Sequence, residues 1–339
     1  MRKVFLRGLI AIGLSVGLIQ PAGAVWLDVR TRDAGGEALQ QTVDFDPTKT
    51  AVVVIDMWDS HYDDVFLSRA PNVIPRMNQT MEVCRDLGMQ VVWAPAGCIP
   101  YYENPANEGY AQRQAMTAIP YHAMPSPKQF NPPAAPYYAK SQNMTPPGVT
   151  NIPVWPAKTK QDGDLTIAAN DLIVDADNAQ ELWNLVADRN IEQLIFAGHA
   201  TNWCLTTRAV GMINMNRYMD TKLIFIRDLT EAFSCNGYNW ETQQIDWSTS
   251  PDTGTAESVQ HNELYLGGSI HAGQLLQEDS DYSYSSRVSY EQNLLTYWRM
   301  DCNDGYKTLR DYRGTQGLWN VQAVTLGVPG VTADGDTAA

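Results

Sequence analysis

An aspartate and a cysteine each follow an apolar run that is typical of a buried strand. Asp56 comes directly after "AVVVI", and Cys204 lies six residues after "LIFAG". Runs of this kind indicate strands that are buried on both faces, as in a parallel sheet. A carboxylate beside a thiol can take the thiol proton while the sulfur attacks a carbonyl carbon. The pair therefore predicts a cysteine nucleophile with an aspartate base, whereas the alternative for Cys204 is a packing role in the core.

The residues around Cys204 predict how the thiol is activated. Residues 202–215, "NWCLTTRAVGMINM", have the apolar spacing of an amphipathic helix. A thiol at the N-terminus of a helix feels the positive end of the helix dipole, which lowers the thiol pKa. We therefore expect Cys204 to be the most reactive accessible thiol of the five in the chain.

Alternating strands and helices predict the elements that position this pair. "NVIPRMNQTMEVCRDLG" follows the first strand as a helix that Gly88 ends, and "MQVVWAP" is the next strand. Further along the chain, the predicted elements are a strand over 165–168, a helix over 177–189 and strands over 193–197 and 223–226. This order predicts an α/β fold with a doubly wound parallel sheet and helices on both faces. Ligands bind such sheets at the carboxyl ends of the strands, and Asp56, His199 and Cys204 all lie just beyond such ends.

Residues 98–161, here called the excursion, interrupt this pattern. Twelve of the 19 prolines fall in this segment, and tyrosines alternate with them. Proline excludes regular helix and central strand, and so long a connection is uncommon unless it is functional. We expect the excursion to cover one end of the sheet and to form one wall of the site. The alternative is a floppy surface insert.

Composition and charge exclude several classes of partner. The chain has 339 residues, with 24 Lys and Arg against 38 Asp and Glu, and a net charge of −14. Nucleic acids and anionic membrane surfaces need a basic footprint, so neither is expected as a partner. Beyond the N-terminal segment, no stretch of the sequence is long and apolar enough to be a transmembrane span.

Residues 1–24 have the three parts of a secretory signal peptide. Basic residues at positions 2, 3 and 7 precede a short apolar core, and Ala22-Gly23-Ala24 forms a cleavage site. We therefore predict a secreted or periplasmic protein whose mature chain begins at Val25. The alternative is an uncleaved anchor.

The cysteines give no sign of a metal site. The chain has five, at positions 84, 98, 204, 235 and 302, and none shows C-x-x-C or similar ligand spacing. Export would permit disulfides, but the odd number leaves at least one thiol free or bonded to another chain. We predict no metal and no other cofactor.

Two segments resemble those of the isochorismatase-like cysteine hydrolases, a family that includes nicotinamidases and N-carbamoylsarcosine amidases. "AVVVIDMWD" is similar to the family's first strand, which ends in the catalytic aspartate, here Asp56. "LIFAGHATNWCLTTRAVGM" is similar to the family's G-x-x-T-x-x-C element, whose cysteine is the nucleophile, here Cys204. The order and spacing of the elements match over residues 45–275. The "DMWD" and "TN-x-C" motifs are most similar to those of secreted bacterial members.

The resemblance implies further parts of a site. Backbone N–H groups of Ala200 and Cys204 would form an oxyanion hole, with a cis peptide bond at His199–Ala200 turning them inward. Nicotinamidases also bind a metal through an Asp-x-His pair after the second strand. The matching stretch here, "APAGCIP", has no histidine, so no metal is expected there.

One family residue is missing from this chain. The family's catalytic lysine aligns near Ala168 or Ala169, and no lysine lies between Lys160 and Lys222. Without a cation, Asp56 and a thiolate would repel each other, and the thiol pKa would rise.

Other side chains are candidates for the missing charge and for substrate contacts. His61 is a candidate catalytic residue that would supply the cation, and Lys158 and Lys160 are further candidates from the excursion. Four residues are candidates for substrate binding: Trp58, Asp59, His199 and Asn202. The alternatives are a hydrogen-bonded surface residue for His61, a solvated loop carboxylate for Asp59 and a helix cap for Asn202.

The C-terminal region has a different character. Residues 279–293 have the composition of a polar linker, and residues 294–339 resemble the opening of a laminin-G-like, concanavalin-type β-sandwich through "YW-x-x-D" and "D-x-x-G". The resemblance implies binding to a glycan or a surface. A stretch this short lacks the remaining strands, so we predict an incomplete module of a longer polypeptide.

The leading hypothesis assigns chemistry to residues 25–278. This domain would be an exported cysteine-dependent hydrolase of a C–N or similar bond in a small-molecule substrate, and the resemblance implies a homo-oligomer. Two alternatives are a catalytically degenerate domain that serves in binding and a surface-attachment protein whose working part is residues 294–339.

Overall fold

The computed structural model describes residues 25–61, 64–142, 160–239, 241–242, 244–246 and 248–278, with four two-residue strands further on. The predicted signal peptide (1–24), the linker (279–293) and Lys158 lie outside the described residues. The same holds for the predicted β-sandwich module (294–339), apart from those four short strands.

Eight strands form one mixed sheet in the described part of the chain, and six of them are parallel. In chain order the strands are β1 (Val25–Arg32), β2 (Ala38–Phe45), β3 (Thr50–Ile55), β4 (Gln90–Ala94), β5 (Leu172–Ile173), β6 (Gln193–Gly198), β7 (Leu223–Ile226), β8 (Tyr238–Asn239), β9 (Gln244–Ile245), β10 (Gly267–Ile270), β11 (Trp298–Arg299), β12 (Arg310–Asp311), β13 (Val328–Pro329) and β14 (Thr337–Ala338). The sheet has the order β2-β1-β10-β7-β6-β3-β4-β5. The other strands form three separate antiparallel pairs.

Helices connect the parallel strands. They are α1 (Asp64–Asp86), α2 (Ile99–Tyr102), α3 (Tyr110–Thr117), α4 (Tyr138–Gln142), α5 (Ala179–Asp188), α6 (Cys204–Thr207), α7 (Met212–Met215), α8 (Pro251–Tyr265) and α9 (Ala272–Glu278), with a 3-10 turn at Pro47–Lys49. The chain steps from β3 to β4 in one direction along the sheet and from β5 back to β6 in the other. Right-handed crossovers therefore place α1 and α5 on opposite faces.

The predicted α/β fold is confirmed for the six parallel strands. Every residue of β3 and of β6 is buried, as expected for strands that are covered on both faces. The antiparallel hairpin of β1 and β2, which extends the sheet beyond β10, was not predicted. None of the described helices is long and apolar enough to cross a membrane.

Two predicted elements were wrong. Residues 165–168 form no strand but lie between two turns, which are closed by the N–H of Leu165 donating to the carbonyl of Asp162 and the N–H of Asp171 donating to that of Ala168. The strand that pairs with the outer side of β4 is Leu172–Ile173. The helix predicted over 202–215 is broken into α6 and α7. Arg208 between them has extended backbone (φ −54°, ψ 158°), and the side-chain amide of Asn214 donates to its carbonyl at 2.8 Å.

The described part of the excursion is held by contacts with helices. The N–H of His122 donates to Asn184 on α5, and the N–H of Lys128 donates to the carbonyl of Arg217 after α7. Near its other end, the Tyr137 hydroxyl donates to Glu257 on α8 at 2.8 Å. These contacts indicate that the described part of the excursion is fixed to the surface of the domain and is not a floppy insert.

Candidate active site

Asp56 lies at the carboxyl end of β3 in a conformation that is uncommon for a residue with a side chain. Its φ is 47°, in the left-handed region, and its carboxylate is buried. Oδ1 accepts the N–H of Ala96 at 2.7 Å, and Oδ2 accepts Nε–H of Arg208 at 2.7 Å. Burial raises the pKa of Asp56, while the Arg208 guanidinium and the Ala96 N–H oppose that rise.

Cys204 is the first residue of α6 and lines the same cavity as Asp56. Burial, followed by the negative charge of Asp56, raises the pKa of Cys204 to about 12, although Arg208 opposes this. The rise expected from Asp56 therefore outweighs the lowering expected from the helix start, because α6 has four residues and its dipole is short. The thiol is protonated at rest.

Arg208 supplies the cation for which His61, Lys158 and Lys160 were the candidates. Its Nε contacts Asp56, its Nη1 contacts Asp177 at 3.0 Å, and its guanidinium carbon lies 5.6 Å from the centre of the Trp58 ring. A continuous helix over 202–215 would have carried this side chain one turn along the axis, away from β3. The available signal was that Arg208 is the first basic residue after Cys204, four positions on.

Lys160 takes no part in this ion pair, and Lys158 lies outside the described residues. Nζ of Lys160 lies 5.8 Å from the centre of the Tyr101 ring. Ala168 and Ala169, where the family lysine was aligned, precede β5 and so lie at the amino end of that strand, whereas the site lies at the carboxyl ends. The carboxyl end of β5 leads to Asp177, the second partner of Arg208.

The backbone after β6 has the geometry that the resemblance implied. The His199–Ala200 peptide bond is cis, and Ala200 and Cys204 both line the cavity. Within the described residues, the N–H of Cys204 has no hydrogen-bond acceptor. Gly198 makes the turn possible, since its φ is 98° and a Cβ there would lie 2.2 Å from the carbonyl oxygen of Ile55.

Aromatic rings form the rest of the wall. His61 stacks at 6.0 Å from Trp58 and lies 5.2 Å from Phe233, and Phe233 lies 5.5 Å from Trp203, all measured between ring centres. The cavity between these rings and Cys204 is small, with room for about one water molecule. A substrate therefore places only its reacting group there unless these rings move.

Nine described residues line the cavity: Asp56, Trp58, His61, His199, Ala200, Trp203, Cys204, Arg208 and Phe233. Six of them were selected from the sequence, and Trp203, Arg208 and Phe233 were not. His61 is an aromatic wall residue, and the ion pair of Asp56 is with Arg208 instead. Burial, with a smaller effect from Arg69, lowers the pKa of His199 to about 3, so His199 is neutral.

Two candidate substrate-binding residues lie outside the cavity lining. Asn202 is fully buried, and its amide donates to the carbonyls of Phe233 and Pro136 and accepts the N–H of Phe233 at 3.0 Å. It positions the Phe233 loop rather than capping α6, where the structure has no side-chain cap. Asp59 contacts the excursion, because its N–H donates to the carbonyl of Lys160 at 3.1 Å.

The excursion was predicted to form a wall of the site, and its described residues do not. None of residues 98–142 or 160–161 lines the cavity. The excursion instead supports the site from behind, through the Pro136 carbonyl that Asn202 contacts and through an antiparallel bridge between Gln161 and Trp58. Residues 143–159 lie outside the described residues.

The other described thiols lie outside the cavity lining. Cys84, Cys98 and Cys235 are buried and form no disulfide among the described residues, and Cys302 is outside those residues. Burial raises the pKa of Cys84 to about 12. Within the described ranges, no cluster of three or more His, Cys, Asp or Glu side chains is arranged to hold a metal ion.

Comparison with known proteins finds likeness in structure but not in sequence. No protein-family model and no curated protein matches the chain. A cysteine hydrolase from Pseudomonas syringae pv. phaseolicola 1448A matches with 12% identity over 70% of this chain and 95% of its own, at a TM-score of 0.42. An isochorismatase-like hydrolase from Alkaliphilus metalliredigens matches with 14% identity over 68% and 98%, at 0.39. A nicotinamidase and pyrazinamidase from Acinetobacter baumanii matches with 17% identity over 68% and 100%, at 0.35.

Proposed function

We propose that this protein is an exported, cysteine-dependent hydrolase that cleaves a C–N or similar acyl bond of a small molecule through a covalent intermediate on Cys204. One observation carries the proposal. Cys204 and the buried carboxylate of Asp56 line the same cavity, and Nε of Arg208 donates to that carboxylate at 2.7 Å. A packing cysteine has no need of a buried ion pair at its sulfur.

The first half of the reaction follows from these contacts. As the sulfur bonds to the substrate carbonyl carbon, the thiol proton passes to Asp56, whose raised pKa suits it to hold that proton. The carbonyl oxygen becomes an oxyanion, to which the N–H groups of Ala200 and Cys204 donate in this proposal. When the C–N bond breaks, the nitrogen takes the proton from Asp56 and leaves as an amine or ammonia, and a thioester remains.

The second half returns the enzyme to its resting state. A water molecule gives a proton to Asp56 as its oxygen bonds to the thioester carbon. The C–S bond then breaks, the sulfur takes the proton back from Asp56, and the acid is released. Throughout, Arg208 keeps the buried carboxylate oriented and offsets its charge, so that Asp56 and the developing thiolate do not face each other without a cation.

The test is to trap the intermediate. The full chain is incubated with a panel of small amides and thioesters, quenched in acid, and examined by intact mass spectrometry while ammonia or amine release is followed. We expect an acyl adduct that Cys204→Ala abolishes and Cys84→Ala retains, because Cys84 is a buried thiol of similar pKa on α1 outside the cavity. Asp56→Asn should slow turnover by about 10²–10⁴-fold. A Cys204 that forms no adduct with any compound would favour the degenerate binding domain instead.

A further inference from the structure

Gln161 has a buried polar side chain that makes no hydrogen bond within the described part of the chain. The residue is 1% exposed, and both Oε1 and Nε2 of its amide lack a partner among the described residues. A buried amide without partners costs stability, so it points to a group that pairs with it while the protein works.

The backbone places this side chain beside the wall of the cavity. Gln161 lies directly opposite Trp58 in an antiparallel bridge, and the residues on either side of the pair exchange backbone hydrogen bonds of 3.1 and 2.7 Å. In such a pair the two side chains point to the same side, with their Cβ atoms about 4.5–5.5 Å apart. Trp58 lines the cavity, so the Gln161 side chain extends on the same side of the bridge, next to a residue of the wall.

Tyr102 adds a second polar group at the same place. Its hydroxyl accepts the N–H of Gln161 at 2.8 Å, while its own proton has no acceptor in the part of the chain that the structure describes. The Tyr102 side chain is buried, and burial raises the pKa of its hydroxyl, which therefore stays protonated and able to donate. Two donors and one acceptor are thus gathered beside Trp58.

We propose that Gln161 and Tyr102 form a subsite that binds an uncharged hydrogen-bonding group of the substrate, a carboxamide or a group of the same pattern, away from the scissile bond. The proposal rests on the proposed chemistry of Cys204 and adds the class of group that the substrate carries. A carboxamide fits because it offers an acceptor and a donor to the donor and acceptor of Gln161. A carboxylate does not fit, since neither residue carries a charge that would offset its burial. Gln161 does not line the cavity, so the group reaches it when the Trp58 ring turns aside.

Thiol reagents with matched tails test this without knowledge of the substrate. N-substituted iodoacetamides carry a carboxamide, an isopropyl or a carboxylate end on chains of two to four methylene groups. The rate of Cys204 modification in the full chain is read by peptide mass mapping and divided by the rate of the same reagent with free cysteine. We expect the best carboxamide reagent to exceed its isopropyl and carboxylate counterparts at least about threefold, which one hydrogen bond of ordinary strength supplies.

Matched variants locate the source of the preference. Gln161→Met should abolish it and Tyr102→Phe should weaken it, whereas Gln180→Met, on α5, should leave it unchanged. The amide of Gln180 is paired, since it donates to the carbonyl of His122 at 2.7 Å and to Asn184 at 2.8 Å. Gln180→Met should therefore lower the midpoint of thermal unfolding, whereas Gln161→Met should not.

Three outcomes would overturn the subsite and leave the nucleophile assignment standing. Equal corrected rates for the three tails would show that no such group binds. A preference that survives Gln161→Met would place its source elsewhere, and a midpoint that falls as far in Gln161→Met as in Gln180→Met would show that the amide serves the fold. A Cys204 that no reagent modifies would contradict the proposed function and, with it, the subsite.

Discussion

Arg208 joins two acidic side chains that leave the sheet on either side of one strand. Asp56 follows β3, Asp177 follows β5, and β4 lies between them. The contact with Asp56 is buried on the carboxylate side, whereas Asp177 is half exposed. The two ion pairs of Arg208 therefore differ in how much they stabilise the fold, because solvent screens the pair with Asp177 much more than the pair with Asp56.

Substitutions at the two ends of this ion pair should separate those contributions. Arg208→Gln leaves the buried Asp56 carboxylate without a cation, and we expect the free energy of unfolding to fall by about 3 kcal/mol. Arg208→Lys should recover part of this loss, and Asp177→Asn should cost less than about 1 kcal/mol. Urea unfolding at pH 7 measures all three. Equal losses for Arg208→Gln and Asp177→Asn would contradict the burial argument.

His199 should make the protein sensitive to acid. Its pKa is lowered to about 3 by burial, with a smaller effect from Arg69, so the unfolded chain binds a proton at this residue before the folded chain does. Its contribution to stability is therefore present above the ordinary pKa of about 6.5 and is lost as the pH falls through about 3. We expect His199→Asn to flatten the stability curve in this window by up to about 1.4 kcal/mol per pH unit. Parallel curves for the two proteins from pH 6.5 to 3 would show that His199 is not the group responsible.

At the scale of elements, the sequence predicts uninterrupted strands and helices well, and it predicts a break within a helix poorly. The buried strand at 223–226 was predicted with its observed bounds, and the helix at 177–189 is α5 with slightly shorter ends. Their patterns are set by burial along the whole element. The break at Arg208 is accompanied instead by two hydrogen bonds, from the side-chain amide of Asn214 to the carbonyls of Thr207 and Arg208, and apolar spacing does not report them. The missed cation is a direct consequence of that missed break.

The same reasoning explains which site residues could be found. Asp56 and Cys204 lie at strand ends that hydrophobic patterns mark. Phe233 reaches the cavity only because Asn202, 31 residues away in sequence, holds its backbone on both sides. Long-range contacts of this kind leave no spacing that can be recognised in a single sequence.

Asn202 holds the backbone of Phe233 with both ends of its side-chain amide, an arrangement here called a clamp. This clamp can be tested against a similar one elsewhere. Asn78 on α1 also bonds a distant loop with both ends of its amide, donating to the Asp164 carbonyl at 2.8 Å and accepting the N–H of Thr166 at 2.9 Å. We expect Asn202→Ala and Asn78→Ala both to lower the free energy of unfolding, Asn202 by about 2–3 kcal/mol because its groups are buried. Only Asn202→Ala should change the rate of Cys204 alkylation, since only that clamp holds a cavity wall. A change of equal size in Asn78→Ala would mean that the rate reports general stability.

The turn after β6 gives a second test at this scale. Gly198 and Gly36 both have positive φ, 98° and 86°, but a Cβ at Gly198 would lie 2.2 Å from the carbonyl oxygen of Ile55, whereas no atom lies within 4 Å of one at Gly36. Gly36→Ala should cost about 1 kcal/mol from the backbone alone. Gly198→Ala should cost at least about 3 kcal/mol more, or prevent folding, because backbone must move. Thermal unfolding followed by circular dichroism compares them, and similar midpoints would contradict the close approach.

At the scale of the whole molecule, the described core lies before the predicted linker. Every buried apolar side chain in the described part of the chain lies between Val25 and Leu276. We therefore expect a chain that stops after residue 278 to unfold cooperatively with a midpoint within about 2 °C of the full-length protein. Scanning calorimetry of both chains measures this. A markedly lower midpoint in the shorter chain would show that later residues pack on the core and would overturn the predicted domain boundary.

The excursion is fixed at both ends to the residues that surround Asp56. It begins just after Ala96, whose N–H holds the Asp56 carboxylate, and it returns at Gln161, which pairs with Trp58. Between these ends and the contacts that hold its described part, the connecting stretches can change length at little cost, because each doubling of a loop adds only about 0.6 kcal/mol of closure entropy. Insertions and deletions between those contacts can therefore accumulate over generations while Asp56 and its neighbours keep their distances. In evolutionary terms, these stretches are where a lineage can acquire new surface chemistry at little risk to the cavity.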